Sequence, residues 1–136
     1  MTEYCDFPLR VIYADTDQMG VAYYANYFIW FEVGRVEFCR QRGFSYDKME
    51  RESKSFLVVA DARCRYRLPL RYDKQFLVRT RLKAFRSRVV FFSYQLLDPD
   101  GSTVYAEGET THVITDEKGR PKAFPEQYRK FLVHDL

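Results

Sequence analysis

Between Tyr23 and Gly43 the chain reads YYANYFIWFEVGRVEFCRQRG, one helix of roughly 17–20 residues by its spacing and its glycine stop. Its first half is apolar on every side, through Tyr27, Phe28, Ile29, Trp30 and Phe31. A helix without a polar face has to be wrapped by other structure. Its second half is amphipathic, with Val33, Val36, Phe38 and Cys39 set against Arg35, Glu37, Arg40 and Arg42. Past Gly43 the period changes. ADARCRYRL alternates strictly, Ala60, Ala62, Cys64, Tyr66 and Leu68 against Asp61, Arg63, Arg65 and Arg67. QFLVRTRLKAF alternates again, with Phe76, Val78, Thr80, Leu82 and Ala84 on the apolar side. Period two marks half-buried strands. VVFFSYQLLD and STVYAEGETTHVIT read as two more strands, the second with a bulge at Gly108. PLRVIYAD, Pro8–Asp15, supplies a first strand ahead of the helix.

The connections are short. FSYDKMERESKS joins helix to strand, PLRYDK, RSR and DPDG turn between strands, and PEQYRKFLV suits a short terminal helix. The order is β-α-β-β-β-β, and strands joined by such turns are expected to pair antiparallel in sequence. One apolar helix and one sheet with a single apolar face solve each other's burial problem. The expected class is α+β, with the sheet curled around the helix. At 136 residues the chain suits one domain, 1–136, with a core rich in its 18% aromatic residues.

Several function classes find no support. Cys5, Cys39 and Cys64 are too few and too far apart for a disulfide framework or zinc spacing, and His112 and His134 stand isolated. No metal or other cofactor is expected. The start MTEYCDFPLR lacks the basic and apolar regions of a signal peptide, and no run approaches a membrane span, so a cytoplasmic protein is expected. Phosphate-binding glycine loops and the G-x-S-x-G elbow are absent. The net charge is only +3, yet from Asp61 to Arg88 ten arginines and lysines stand against two aspartates. Such a segment either attracts an anion such as a nucleotide or forms a solvated outer sheet face. A modest net charge argues against a nucleic-acid partner.

The stretch that carries chemistry is ADTDQMGVAYY, where a polar loop with two aspartates enters the apolar helix. A helix start presents unpaired N–H groups and partial positive charge. Those donors can hold an oxyanion while a nearby carboxylate serves as base or nucleophile. Asp15 and Asp17 beside Gly20–Tyr24 are therefore a candidate acyl-transfer site. The alternative is structural, two acids that cap the helix or favour its dipole.

YADTDQMGVAYYANYFIWFEVGR resembles the signature of the 4-hydroxybenzoyl-CoA thioesterase-like family of hot-dog-fold acyl-CoA thioesterases. The likeness continues through RQRGFSY, RYRLPLRYDKQFLVRT, SRVVFFSYQL and GRPKAFPEQ, nearly the whole chain. The resemblance implies a hot-dog fold, about five antiparallel strands around one long central helix. It implies hydrolysis of an acyl-CoA to free acid and CoA, with Asp17 as the catalytic carboxylate and the Tyr24 amide polarising the thioester carbonyl. Gly20 and Val21 would line the substrate. Lys83, Arg86, Ser87 and Arg88 would meet the CoA phosphates, often from another subunit of a homodimer or homotetramer. Many relatives carry His where this chain has Tyr24, so a mechanism that needs that His does not apply. Asp15 is expected to tether the loop, Asn26 to brace the first turn, and Glu32 to pair with Arg35 if buried. Two other readings stay open: a thioesterase acting on acyl carrier protein, and a hot-dog domain that only binds acyl-CoA or a partner protein.

Overall fold

A computed structural model describes residues 3–133, so His134 lies outside the described residues. The elements run β1 (Tyr4–Arg10), a 3-10 turn (Tyr13–Asp15), α1 (Asn26–Gln41), α2 (Tyr46–Ser53), β2 (Phe56–Tyr66), β3 (Gln75–Arg86), β4 (Val89–Leu97), β5 (Val104–Thr115) and α3 (Glu126–Leu132). The first strand therefore lies earlier than Pro8–Asp15. Its expected end folds instead as the 3-10 turn, because the Asp15 carboxylate turns back onto the Ile12 N–H at 2.9 Å. α1 begins at Asn26, three residues after the expected start. The segment expected as a plain connection contains α2, started by Ser45, whose Oγ accepts the Lys48 N–H at 3.2 Å.

The five strands form one antiparallel sheet in the order β1-β3-β4-β5-β2. The expected pairing of β2 with β3 does not occur. β2 pairs with β5, with Cys64 opposite Gly108, and β3 pairs with β1 and β4. The PLRYDK segment is no hairpin, because its backbone is engaged elsewhere. The Leu70 carbonyl accepts the Ala22 N–H at 2.7 Å and Arg71 bridges to Val21. Fully buried Leu70 anchors that crossing.

α1 lies against the inner sheet face. Tyr27, Trp30, Phe31, Phe38 and Cys39 pack against Phe76, Val78, Phe92, Tyr94 and Ile114. Gly108 is not a bulge, since it stays in register with both Cys64 and Tyr94. Its missing side chain instead makes room for the Phe31 ring, which stacks on Tyr94 at 4.5 Å. Two expectations about exposure also change. The helix is not wrapped on every side, for Ile29 is 56% exposed and Glu32 faces solvent. Arg35 and Arg42, expected on the outer face, are 7% and 8% exposed. The Arg42 guanidinium sits 3.6 Å above the Phe38 ring. Arg35 meets the Tyr94 hydroxyl at 3.1 Å. The apolar side of β2 is largely uncovered as well, because this strand is a sheet edge that α1 touches only in part, as where Tyr27 meets the Tyr66 ring at 4.7 Å.

Candidate active site

The loop before α1 is a closed hairpin. Thr16 bridges to Ala22, and the Asp17 N–H donates to the Val21 carbonyl at 2.9 Å. The Gly20 N–H donates to the Asp17 carbonyl at 3.0 Å, closing a turn over residues 17–20. Gly20 carries φ +77°, with nothing near the place of a Cβ, so the backbone conformation alone demands glycine there. Val21, half-buried, bridges to Arg71 and ties the hairpin to the chain entering β3.

The two aspartates differ. Asp15 is a tether: its carboxylate accepts the Ile12 N–H, and its carbonyl accepts both the Tyr23 N–H at 2.8 Å and the Asn26 Nδ2 at 2.8 Å. Asn26 thereby braces the helix start, as its position suggested. Asp17 is exposed, and its Oδ1 accepts the Met19 N–H at 2.8 Å. Its Oδ2 takes no hydrogen bond among the described residues. Neither carboxylate caps α1, whose N-cap Ala25 receives no side-chain bond. The structural alternative, capping, is therefore not what these acids do.

At the helix entry, the amides of Asn26, Tyr27 and Phe28 donate to the carbonyls of Tyr23, Tyr24 and Ala25. Among the described residues no backbone carbonyl accepts the Tyr24 N–H. The Tyr24 carbonyl is held by the Tyr66 hydroxyl at 2.9 Å, and the two rings meet edge to face at 6.3 Å. Tyr66, at the end of β2, was legible only as an inward strand residue. Its link to the helix entry spans 42 positions and leaves no local signal. Burial, foremost, pushes its phenol well above its ordinary pKa, so it is a fixed donor rather than a base.

The basic residues do not gather here. Lys83 is engaged by Glu109 at 2.7 Å. Arg79 is held in a two-pronged pair with Asp6, both contacts at 2.8 Å, and Arg67 pairs with Glu107 at 3.2 Å. Much of the basic segment thus forms a cross-strand charge array on the sheet. Arg86, Ser87 and Arg88 do stand together, exposed in the β3–β4 hairpin, and neither arginine enters an ion pair among the described residues. That hairpin lies at the other end of β3 from the Asp17 loop. Twelve strand residues span roughly 35–40 Å. Within one chain the structure therefore does not bring Arg86–Arg88 to Asp17. The basic side chain whose backbone adjoins the loop is Arg71, counted in the segment but not singled out from sequence. Among the described residues no cluster of three His, Cys, Asp or Glu is placed to hold a metal ion, and no helix is long and apolar enough to cross a membrane.

Comparison with known proteins gives a consistent result. A family model described as the thioesterase-like superfamily matches residues 11–132. An acyl-CoA thioester hydrolase of Escherichia coli O157:H7 is 32% identical over 120 residues, 88% of each chain. A chloroplastic acyl-acyl carrier protein thioesterase of Arabidopsis thaliana is 26% identical over 136 residues, covering all of this chain and 71% of the relative. Among solved structures, the DHNA-CoA thioesterase from Staphylococcus aureus is 27% identical, with TM-score 0.83 over 88% of this chain and 80% of that one.

Proposed function

The chain belongs to the thioesterase-like superfamily and is a thioester hydrolase of the hot-dog fold, and we propose that it cleaves an acyl-CoA to the free acid and CoA, with Asp17 as the reacting carboxylate. The observation that carries this reading is an exposed carboxylate in the loop that leads into a helix entry with an untaken amide. Among the described residues Asp17 keeps one oxygen unengaged, and the Tyr24 N–H has no backbone acceptor. The thioester carbonyl oxygen would accept the Tyr24 N–H as negative charge develops on it. Asp17 would either take a proton from the attacking water or attack the carbonyl carbon itself, and the CoA thiolate would leave. Gly20 and Val21 shape the loop that presents the carboxylate. No metal or redox group enters these steps.

The site needs a second copy in this account. Arg86, Ser87 and Arg88 lie too far from their own Asp17, so the CoA phosphates would meet this hairpin on a partner chain. The edge strand β2, with Val58 46% and Val59 52% exposed, is where such a partner would dock, giving a homodimer or a pair of dimers.

The Arabidopsis relative keeps acyl carrier protein in view as the alternative carrier. Thiol release from acyl-CoA and from the same acyl group on carrier protein, at low and high salt, separates the two. Efficient turnover of the CoA ester supports the reading. Activity confined to the carrier-bound ester and abolished by salt would replace it.

A further inference from the structure

We propose that a depression between α1 and β2 is the far end of the acyl site, and that Arg35 there favours acyl groups ending in an oxygen acceptor, a hydroxyl or a carboxylate, over plain alkyl groups. This rests on the thioester-hydrolase reading above. The depression has a volume of about 310 Å³, at the lower end of the range for small-molecule sites. Phe28, Ile29, Val59 and Ala62 supply apolar walls, and buried Arg35 and Thr110 form its polar floor.

The floor is chemically incomplete. The Arg35 Nη1 donates to the Tyr94 hydroxyl at 3.1 Å, which shares a 2.5 Å hydrogen bond with the Thr110 hydroxyl. Thr110 in turn meets His112 Nε2 at 2.8 Å. Among the described residues the buried Arg35 Nε finds no acceptor. Among the described residues no carboxylate closes an ion pair with this guanidinium, and Glu32, expected to pair with it only if buried, is exposed at the rim. A guanidinium has five N–H donors and no acceptor. Its partners on the page are neutral, the Tyr94 hydroxyl and the Tyr46 ring 5.9 Å from the guanidinium carbon, so a ligand oxygen on one of its remaining donors would add a charge-assisted hydrogen bond.

The route from the reacting centre is built into the helix. Phe28, Glu32 and Arg35 fall on one face of α1 at helical spacing, and Tyr24 precedes the helix by two residues. From Asn26 to Arg35 the axis advances roughly 14 Å. The arginine side chain leans back toward the helix start, shortening the gap. A thioester whose carbonyl sits at the Tyr24 amide would thus lay a medium-length acyl chain along Phe28 and reach Arg35 with its far end.

The test compares kcat/KM for octanoyl-CoA, 8-hydroxyoctanoyl-CoA and the CoA monothioester of suberic acid, in wild type, Arg35→Met and Arg35→Lys. Wild type is expected to favour at least one oxygenated ester over octanoyl by about tenfold or more, the scale of a charged hydrogen bond. The two oxygenated esters distinguish a neutral acceptor from an anion, which Glu32 at the rim would oppose. Arg35→Met should bring the ratio near one and Arg35→Lys should keep part of it. If Arg35→Met does not fold, the wild-type ratio still decides, together with Ala62→Leu. That change on an exposed edge strand narrows the depression and should shift preference toward shorter esters. An active wild type with no preference for oxygenated esters overturns the proposal, as does an unchanged ratio in Arg35→Met. A folded wild type inert on every ester overturns the thioesterase reading, and this proposal with it.

Discussion

Asp15 and Asp17 sit two positions apart and do different work, one binding the loop to the helix entry, the other facing solvent. The sequence placed both acids in a turn before a helix. It did not show through which groups each is held, because that depends on a 3-10 turn with no distinctive pattern of its own. Arg35 was misread for a related reason. Helical spacing sends charges outward unless polar partners wait inside, and those partners, Tyr94, Thr110 and His112, come from distant strands. His112 gives this buried polar chain a measurable signature. Burial, and then the nearby Arg35 charge, pull its pKa down to about 3 from an ordinary 6.5. The unfolded chain therefore takes up a proton that the folded chain refuses. Stability is fully present above pH 6.5 and declines as pH falls toward 3. The thermal midpoint should fall over that window more steeply in wild type than in His112→Gln. Parallel curves would mean that His112 is not held neutral by the fold.

At the level of elements, what was legible is what local period encodes. The inward sets of β3 followed from alternation: Phe76, Val78 and Thr80 are buried as expected. Strand pairing was not legible, because the PLRYDK segment looks like a hairpin turn but gives its backbone to the Asp17 loop. That loan sends the chain across the sheet and leaves β2 on the far edge. Gly108 shows the same limit. Glycine in a strand marks either a bulge or a close approach, and the packed Phe31 ring, with the Arg63 carbonyl behind it, decides for the second. Gly108→Ala should therefore destabilise the fold by about 1–3 kcal/mol, the range for overpacking a core. Chemical denaturation with an unchanged slope would measure it. A variant as stable as wild type would mean that Phe31 and the Arg63 backbone can give way at no cost.

For the whole molecule, the decisive feature is the separation of the Asp17 loop from the Arg86–Arg88 hairpin. The resemblance implied that both sets of residues serve one site, the basic ones often from another subunit. The strand length between them, 12 residues, assigns them to opposite ends of the sheet. A site that uses both requires two copies. Val58→Lys, on the exposed edge of β2, should shift the protein to a smaller species in size-exclusion chromatography with light scattering, with activity falling in step. A smaller species with full activity would show that one chain suffices. The central claim, however, concerns Asp17, whose exposed carboxylate lies in the loop that leads into the helix entry. Thiol release from the best acyl-CoA ester, for wild type and Asp17→Asn under the same conditions, tests it most directly. The substitution keeps the size of the side chain and an oxygen for the Met19 N–H, and removes the charge. The account predicts a loss of about a hundredfold or more in kcat, the scale of a missing catalytic base. An Asp17→Asn variant that turns over within a few-fold of wild type would contradict it.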